Sequence, residues 1–294
     1  MKPLYFCSGA SAPSDLRGLA RIRHPLGVSI PQLSGPALDY LCTLRGIAPV
    51  FVDTEAFSEV DREGRVVAPI TDAAWIDRTR VMHRIAASLG ADAWIVAPDR
   101  VGDQQETLRR LARFEDVLRA IVALGARLVV PIQRGGMSAT LFHDAAAAIV
   151  GGPFVCGIPG NKAAMPAGEL EDFLRARRPR AVHLLGVGPK SPRFHALVDV
   201  LRRFVPTAEV SCDSNGLAAL VGKTNGRGGA PRALTAWQEQ TGEREGAVIM
   251  AIGPKLFYDR AIAAYREAGL VATRERPLQP GLFDAVEKEK RRAG

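Results

Sequence analysis

The sequence has no long hydrophobic run, no closely spaced cysteines and no ligand-like spacing of histidines, and each absence removes a class of protein. No stretch approaches the roughly 18 consecutive apolar residues of a membrane span, so none is expected. The four cysteines, Cys7, Cys42, Cys156 and Cys212, stand far apart with no CxxC pair. That argues against a disulfide framework and a cysteine zinc site, and for a reducing, cytoplasmic setting. His24, His83, His143 and His195 show no HxH or other metal-ligand spacing, so neither a metal nor another cofactor is expected. The opening Met1-Lys2-Pro3-Leu4-Tyr5-Phe6 leads into small and polar residues rather than an apolar core, which does not make a signal peptide.

What is present describes a globular protein. The chain has 294 residues, 47% of them hydrophobic and 24% charged, with a mean hydropathy near zero. That length accommodates one large α/β core or two ordinary domains. Thirty-nine Lys and Arg against 31 Asp and Glu give a net charge of +8. Most of the excess is arginine, which pairs well with phosphate oxygens, so a polyanion such as nucleic acid is a candidate partner. Solvated basic helix faces would produce the same balance.

Short apolar or β-branched runs recur at Leu4–Cys7, Pro49–Asp53, Ala93–Ala97, Leu128–Ile132, Phe154–Ile158, Ala181–Val187, Glu209–Cys212 and Ala247–Ile252, giving eight predicted strands. Between them lie amphipathic segments at Ile76–Leu89, Gln104–Leu124, Ala139–Ile149, Glu169–Ala176, Phe194–Phe204 and Tyr258–Ala268. The alternation predicts a single-domain (β/α)8 TIM barrel over residues 1–276, followed by a basic tail at 277–294; a doubly wound open sheet uses the same units. Ser11–Gly35, with a weak strand signal at Val28–Ile30, reads as an elaborated first loop. Gly222–Pro231 reads as a flexible basic loop.

In such a barrel the reacting groups sit where strands end. Asp53 and Asp213 each close an apolar run with no helical pattern immediately after, which favours a site role over capping. Asp99 follows Ala93–Ala97 and fits either role. Asp103 directly precedes a helical segment with Glu106 at its third position, the pattern of an N-cap. His183, inside an apolar run, reads as a satisfied core histidine. Lys162, Lys190 and Lys223 follow strand ends and could form a Schiff base, though contact with phosphate or water is the simpler reading.

Several of these segments together resemble the tRNA-guanine transglycosylase family, in particular its DpdA-type branch, which inserts a 7-deazaguanine base into DNA. Asp53-Thr54-Glu55-Ala56-Phe57 is similar to the family's D-S-G-G-[FY] motif, and Asp99 in Ala97-Pro98-Asp99-Arg100 to its base-reading aspartate. Pro131-Ile132-Gln133-Arg134-Gly135 resembles V-Q-G, Cys156-Gly157-Ile158 resembles G-G-L, and His183-Leu184-Leu185-Gly186-Val187-Gly188 resembles Y-L-M-G-V-G. Asp213 falls where the family keeps its nucleophile. The likeness covers about residues 48–216.

The resemblance implies a pentosyltransferase exchanging guanine for a 7-deazaguanine base, with Asp213 attacking the anomeric carbon and Asp53 as acid/base. Asp99, Gln133, Gly157, Ile158, Gly186 and Gly188 would bind the base. Glu55 departs from the family's glycine. Cys212 stands alone where the tRNA enzymes carry a Cys-rich zinc subdomain, which favours DNA over tRNA as the polymer. A tRNA enzyme, a sugar-phosphate or flavin barrel, and a non-catalytic DNA-binding or clamp-associated protein are the alternatives. Gln279-Pro280-Gly281-Leu282-Phe283 resembles a sliding-clamp docking peptide.

Overall fold

Eight parallel strands close on themselves in chain order. They are β1 (Leu4–Ser8), β2 (Leu26–Ser29), β3 (Val50–Asp53), β4 (Ala93–Val96), β5 (Arg127–Pro131), β6 (Val155–Pro159), β7 (Ala181–Leu185) and β8 (Glu209–Asn215). The computed structural model describes residues 3–61, 63–161, 165–217, 220–221 and 245–252. Closure comes from β1 pairing with β8, from Leu4 opposite Ser211 to Ser8 opposite Asn215. This is the (β/α)8 TIM-barrel architecture that the alternation predicts.

The described helices are α1 (Pro13–Arg21), α2 (Gly35–Leu41), α3 (Asp72–Leu89), α4 (Gln104–Arg113), α5 (Glu115–Ala123), α6 (Ala139–Val150), α7 (Ala167–Arg177), α8 (Pro192–Phe204) and α9 (Glu245–Ile252). Side-chain oxygens of Ser34, Thr71, Asp103, Ser138 and Ser191 accept backbone N–H groups in the first turns of α2, α3, α4, α6 and α8. Each cap satisfies a donor that the helix itself leaves unpaired. None of the described helices is long and apolar enough to cross a membrane.

Three expectations need correction. The segment Ser11–Gly35 is not one loop: it holds α1 and β2, and β2 gives only the weak signal at Val28–Ile30 because it is four residues long and contains Gly27. That glycine is a packing requirement, since a Cβ there would lie 2.2 Å from Ser8 Oγ. The predicted helix Gln104–Leu124 is two helices, broken at Phe114, whose ring is buried. The apolar run Ala247–Ile252 is not a strand but the body of α9, packed on α1. Glu245 there pairs with Arg17 at 3.1 Å and Arg21 at 2.6 Å, and Gly18 lets Val248 approach. Six apolar residues carry no period that separates buried helix from buried strand. Gly222–Pro231, Tyr258–Ala268, Lys162, Lys223 and the tail with Gln279–Phe283 lie outside the described residues.

The interior of the barrel is filled, not hollow. Phe6, Phe51, Trp94, Val96, Val129 and Val155 form a core inside the cylinder, separate from the larger one between strands and helices. Phe6 packs on Phe51 at 5.7 Å and on Trp94 at 5.5 Å. At the end where strands begin, Arg127 lies 4.7 Å over the Trp94 ring and pairs with Glu209. The open mouth for chemistry is therefore the other end.

Candidate active site

Side chains alternate across a strand, so the inward residues that follow the aromatic layer are fixed by it. Phe51 points in, and so does Asp53 two residues on; Phe6 leads to Ser8, and Ser211 to Asp213. Asp53 and Asp213 thus reach the same mouth from β3 and β8. Asp99, on the loop after β4, joins them close enough to feel the charge of Asp53.

The three carboxyl groups are held differently. Asp213, 7% exposed, accepts the Gly186 N–H at 2.7 Å and lies 3.2 Å from His183 Nε2 through Oδ1, and accepts Ser8 Oγ–H at 3.1 Å through Oδ2. Both oxygens thus have hydrogen-bonding partners. Asp53 accepts only the Glu55 N–H, at 2.8 Å on Oδ1, among the described residues. Burial, reinforced by the charges of Asp213 and Glu55, pushes its carboxyl up to about 6. Asp99 is 4% exposed, and burial, with the charge of Asp53, pushes it up to about 7. Asp213 and two carboxyls that burial pushes up to about 6 and about 7 therefore lie together at one end of the barrel, a grouping suited to proton transfer.

The turn that presents Asp53 is strained. Glu55 stands at φ 61°, in the left-handed region that favours glycine, and its side chain accepts from Gln32 Nε2 at 3.2 Å. Ser29, opposite Asp53 on β2, has a buried Oγ with no hydrogen-bond partner among the described residues.

The other predicted binding residues do not converge on the cleft in the expected way. Gln133 is buried with both amide hydrogens committed, to Arg100 O at 2.9 Å and Thr107 Oγ1 at 3.2 Å, while its Oε1 accepts the Gly102 N–H. It ties down the loop carrying Asp99 rather than reading a base. Gly157 faces inward, but its O accepts the Ile132 N–H, and a Cβ there would press on Leu185, Val129 and Pro131 at 3.0 to 3.2 Å. Ile158 is fully buried in the outer core. Gly186, at φ 66°, does reach the site, through its N–H on Asp213. Gly188 packs behind it, where a Cβ would lie 2.3 Å from Ser214 Oγ.

Ser8, Ser211 and the pair Glu59–Arg110 do not stand out in the sequence. The period-two alternation from Asp213 back to Ser211 was the available signal for one of them. His183 is a satisfied core histidine, as its apolar setting predicts, but what satisfies it is Asp213 and Ser211. Glu59 and Arg110 anchor the loops of Asp53 and Asp99 to each other, since Arg110 Nη1 donates both to Glu59 at 2.7 Å and to Asp99 O at 2.5 Å. Among the described residues no three His, Cys, Asp or Glu side chains are grouped to hold a metal ion.

No family model and no curated protein matches the chain. Solved structures do. A barrel from Coccidioides immitis assigned as a fructose-1,6-biphosphate aldolase is 12% identical, with 91% of this chain and 92% of that one covered at a TM-score of 0.50. D-allulose 3-epimerase from Methylomonas sp. is 14% identical over 73% and 84% of the two chains at 0.46. A xylose isomerase domain protein from Planctomyces limnophilus is 14% identical over 82% and 99% at 0.46. These are sugar epimerase-, isomerase- and aldolase-type barrels and not pentosyltransferases, so the expected pentosyltransferase activity is corrected. Within the chain, Gln133 is committed to Arg100 O, Thr107 Oγ1 and the Gly102 N–H, which leaves its amide no hydrogen for a base. What the likeness establishes is the (β/α)8 fold.

Proposed function

We propose that the protein is a sugar or sugar-phosphate barrel enzyme that moves protons on a polyhydroxy carbonyl substrate. The observation that carries this reading is the contrast between Asp213, surrounded by donors, and Asp53 and Asp99, which burial keeps protonated up to about pH 6 and 7. Asp213, as the ionised base, removes the proton α to the carbonyl. A protonated carboxyl of the Asp53–Asp99 pair delivers its proton to the carbonyl oxygen, giving an enediol whose reprotonation at either carbon completes isomerisation or epimerisation. The names borne by the matching structures support this substrate class by analogy of fold.

The test is exchange of the substrate's α hydrogen for deuterium in D2O, followed by NMR over a panel of aldoses, ketoses and their phosphates. Asp213→Asn is expected to lower exchange by about a hundredfold or more. The wild-type rate is expected to fall as pH rises past 6 to 7, where the acid partners lose their protons. No exchange on any member of the panel by wild-type protein overturns the reading.

A further inference from the structure

Beneath the mouth, His183 is fully buried on the inward face of β7, and its two ring nitrogens meet two different partners. Nε2 lies 3.2 Å from Asp213 Oδ1 and Nδ1 lies 2.8 Å from Ser211 Oγ. The ring plane is fixed by stacking on Phe51 at 4.4 Å and 10°, with Phe6 at 6.0 Å and Trp94 at 6.4 Å. A histidine serving only to fill space has no need of this geometry.

The donors can be assigned by elimination. Gly186 N–H can only donate, and it occupies Asp213 Oδ1; Ser8 Oγ occupies Oδ2. With Asp213 taken as the working base, a carboxylate whose two oxygens only accept, the hydrogen between it and the ring belongs to Nε2. A neutral imidazole with its proton there needs a donor at Nδ1, and the Ser211 hydroxyl is in place to supply it. The competing acceptor for that hydroxyl, Val182 O, is 3.5 Å away, at the limit of a hydrogen bond.

We propose that His183 and Ser211 are positioning residues: Ser211 fixes the ring of His183 with its Nε2–H toward Asp213, and that N–H holds the Asp213 carboxyl group in one orientation at the mouth. The proposal rests on the reading of Asp213 as the working base. The other ionisable groups facing Asp213 are Asp53 from β3, Tyr5 from β1 and the adjacent Cys212. Burial pushes Tyr5 and Cys212 up to about 12, so Asp53 is the one that changes charge near neutrality.

The experiment needs no substrate. In protein labelled with 15N-histidine, long-range NMR correlations are expected to show His183 with its proton on Nε2 and an unprotonated Nδ1 across neutral pH. In Ser211→Ala the single tautomer is expected to give way to a mixture. In protein with 13C-labelled aspartate carboxyls, His183→Phe keeps the stacked ring and deletes the N–H. The Asp213 carboxyl resonance at pH 7 should then move, and His183→Gln, which restores a donor, should bring it back. A proton on Nδ1 in the wild type, or an Asp213 carboxyl resonance unmoved in a folded His183→Phe, overturns the proposal. Should that variant fail to fold, an unchanged tautomer in Ser211→Ala does so instead. Absence of deuterium exchange on sugars with these NMR results intact would sink the functional reading and leave the positioning role standing.

Discussion

Glu59 and Asp99 are both buried carboxyl groups beside one guanidinium, yet they are pushed in opposite directions. Burial alone would raise both. At Glu59 it is outweighed by two hydrogen bonds from Arg110, at 2.7 and 2.8 Å, by the Ile70 N–H at 2.6 Å and by Arg100 at 3.4 Å, so the group is held below its ordinary range. At Asp99 the same Arg110 reaches the backbone oxygen rather than the carboxyl, and burial pushes the acid up to about 7. A saturated acid fastens loops together; one on which burial dominates keeps a proton to give.

The largest effect is expected where the first of these is turned into the second. Arg110→Ala strips Glu59 of its main partner and leaves a buried charge, at a cost of about 3–5 kcal/mol in denaturant unfolding at pH 7. A loss under about 1 kcal/mol would show that Ile70 and Arg100 suffice. Asp99→Asn tests the other side. Because the folded group is raised, its favourable contribution is complete below the unfolded carboxyl range and is lost as pH rises through about 7. The amide removes that loss, so the variant should match wild type near pH 4 and exceed it at pH 8 by on the order of 3 kcal/mol. A variant no more stable at pH 8 breaks the comparison. The smallest effect belongs to Glu106, which hydrogen bonds from Arg109 and Arg110 hold down to about 2. Its contribution is present above the usual carboxylate range and lost as pH falls through about 2, so Glu106→Gln should cost about 1 kcal/mol at pH 7 and progressively less in acid.

The barrel was legible because its strands β1 and β3 to β8 are short apolar runs, with helical segments between most of them. The expected total of eight strands arose from two errors that compensate, a β2 whose weak signal was not counted and a strand assigned to what is α9. Both have the same cause: over four to six residues, apolar content carries no usable period. In the site, Asp53 and Asp213 could be picked out because each ends such a run. Gln133 and Gly157 could not be separated from binding residues, because their roles depend on contacts to Arg100, Thr107, Val129 and Leu185 that only folding brings together. The hydrogen bonds of His183 to partners some thirty residues away were equally out of reach.

The pairing of β1 with β8 has a consequence for biosynthesis. The first strand emerges from the ribosome with one flank awaiting a partner that has yet to be translated. At about 5–20 residues per second, roughly ten to forty seconds pass before that partner appears. Throughout that interval the nascent half-cylinder carries an open edge and a bare aromatic lining, a surface to which other unfinished chains can add. The seam that completes the ring is therefore also where protection by a chaperone would matter most.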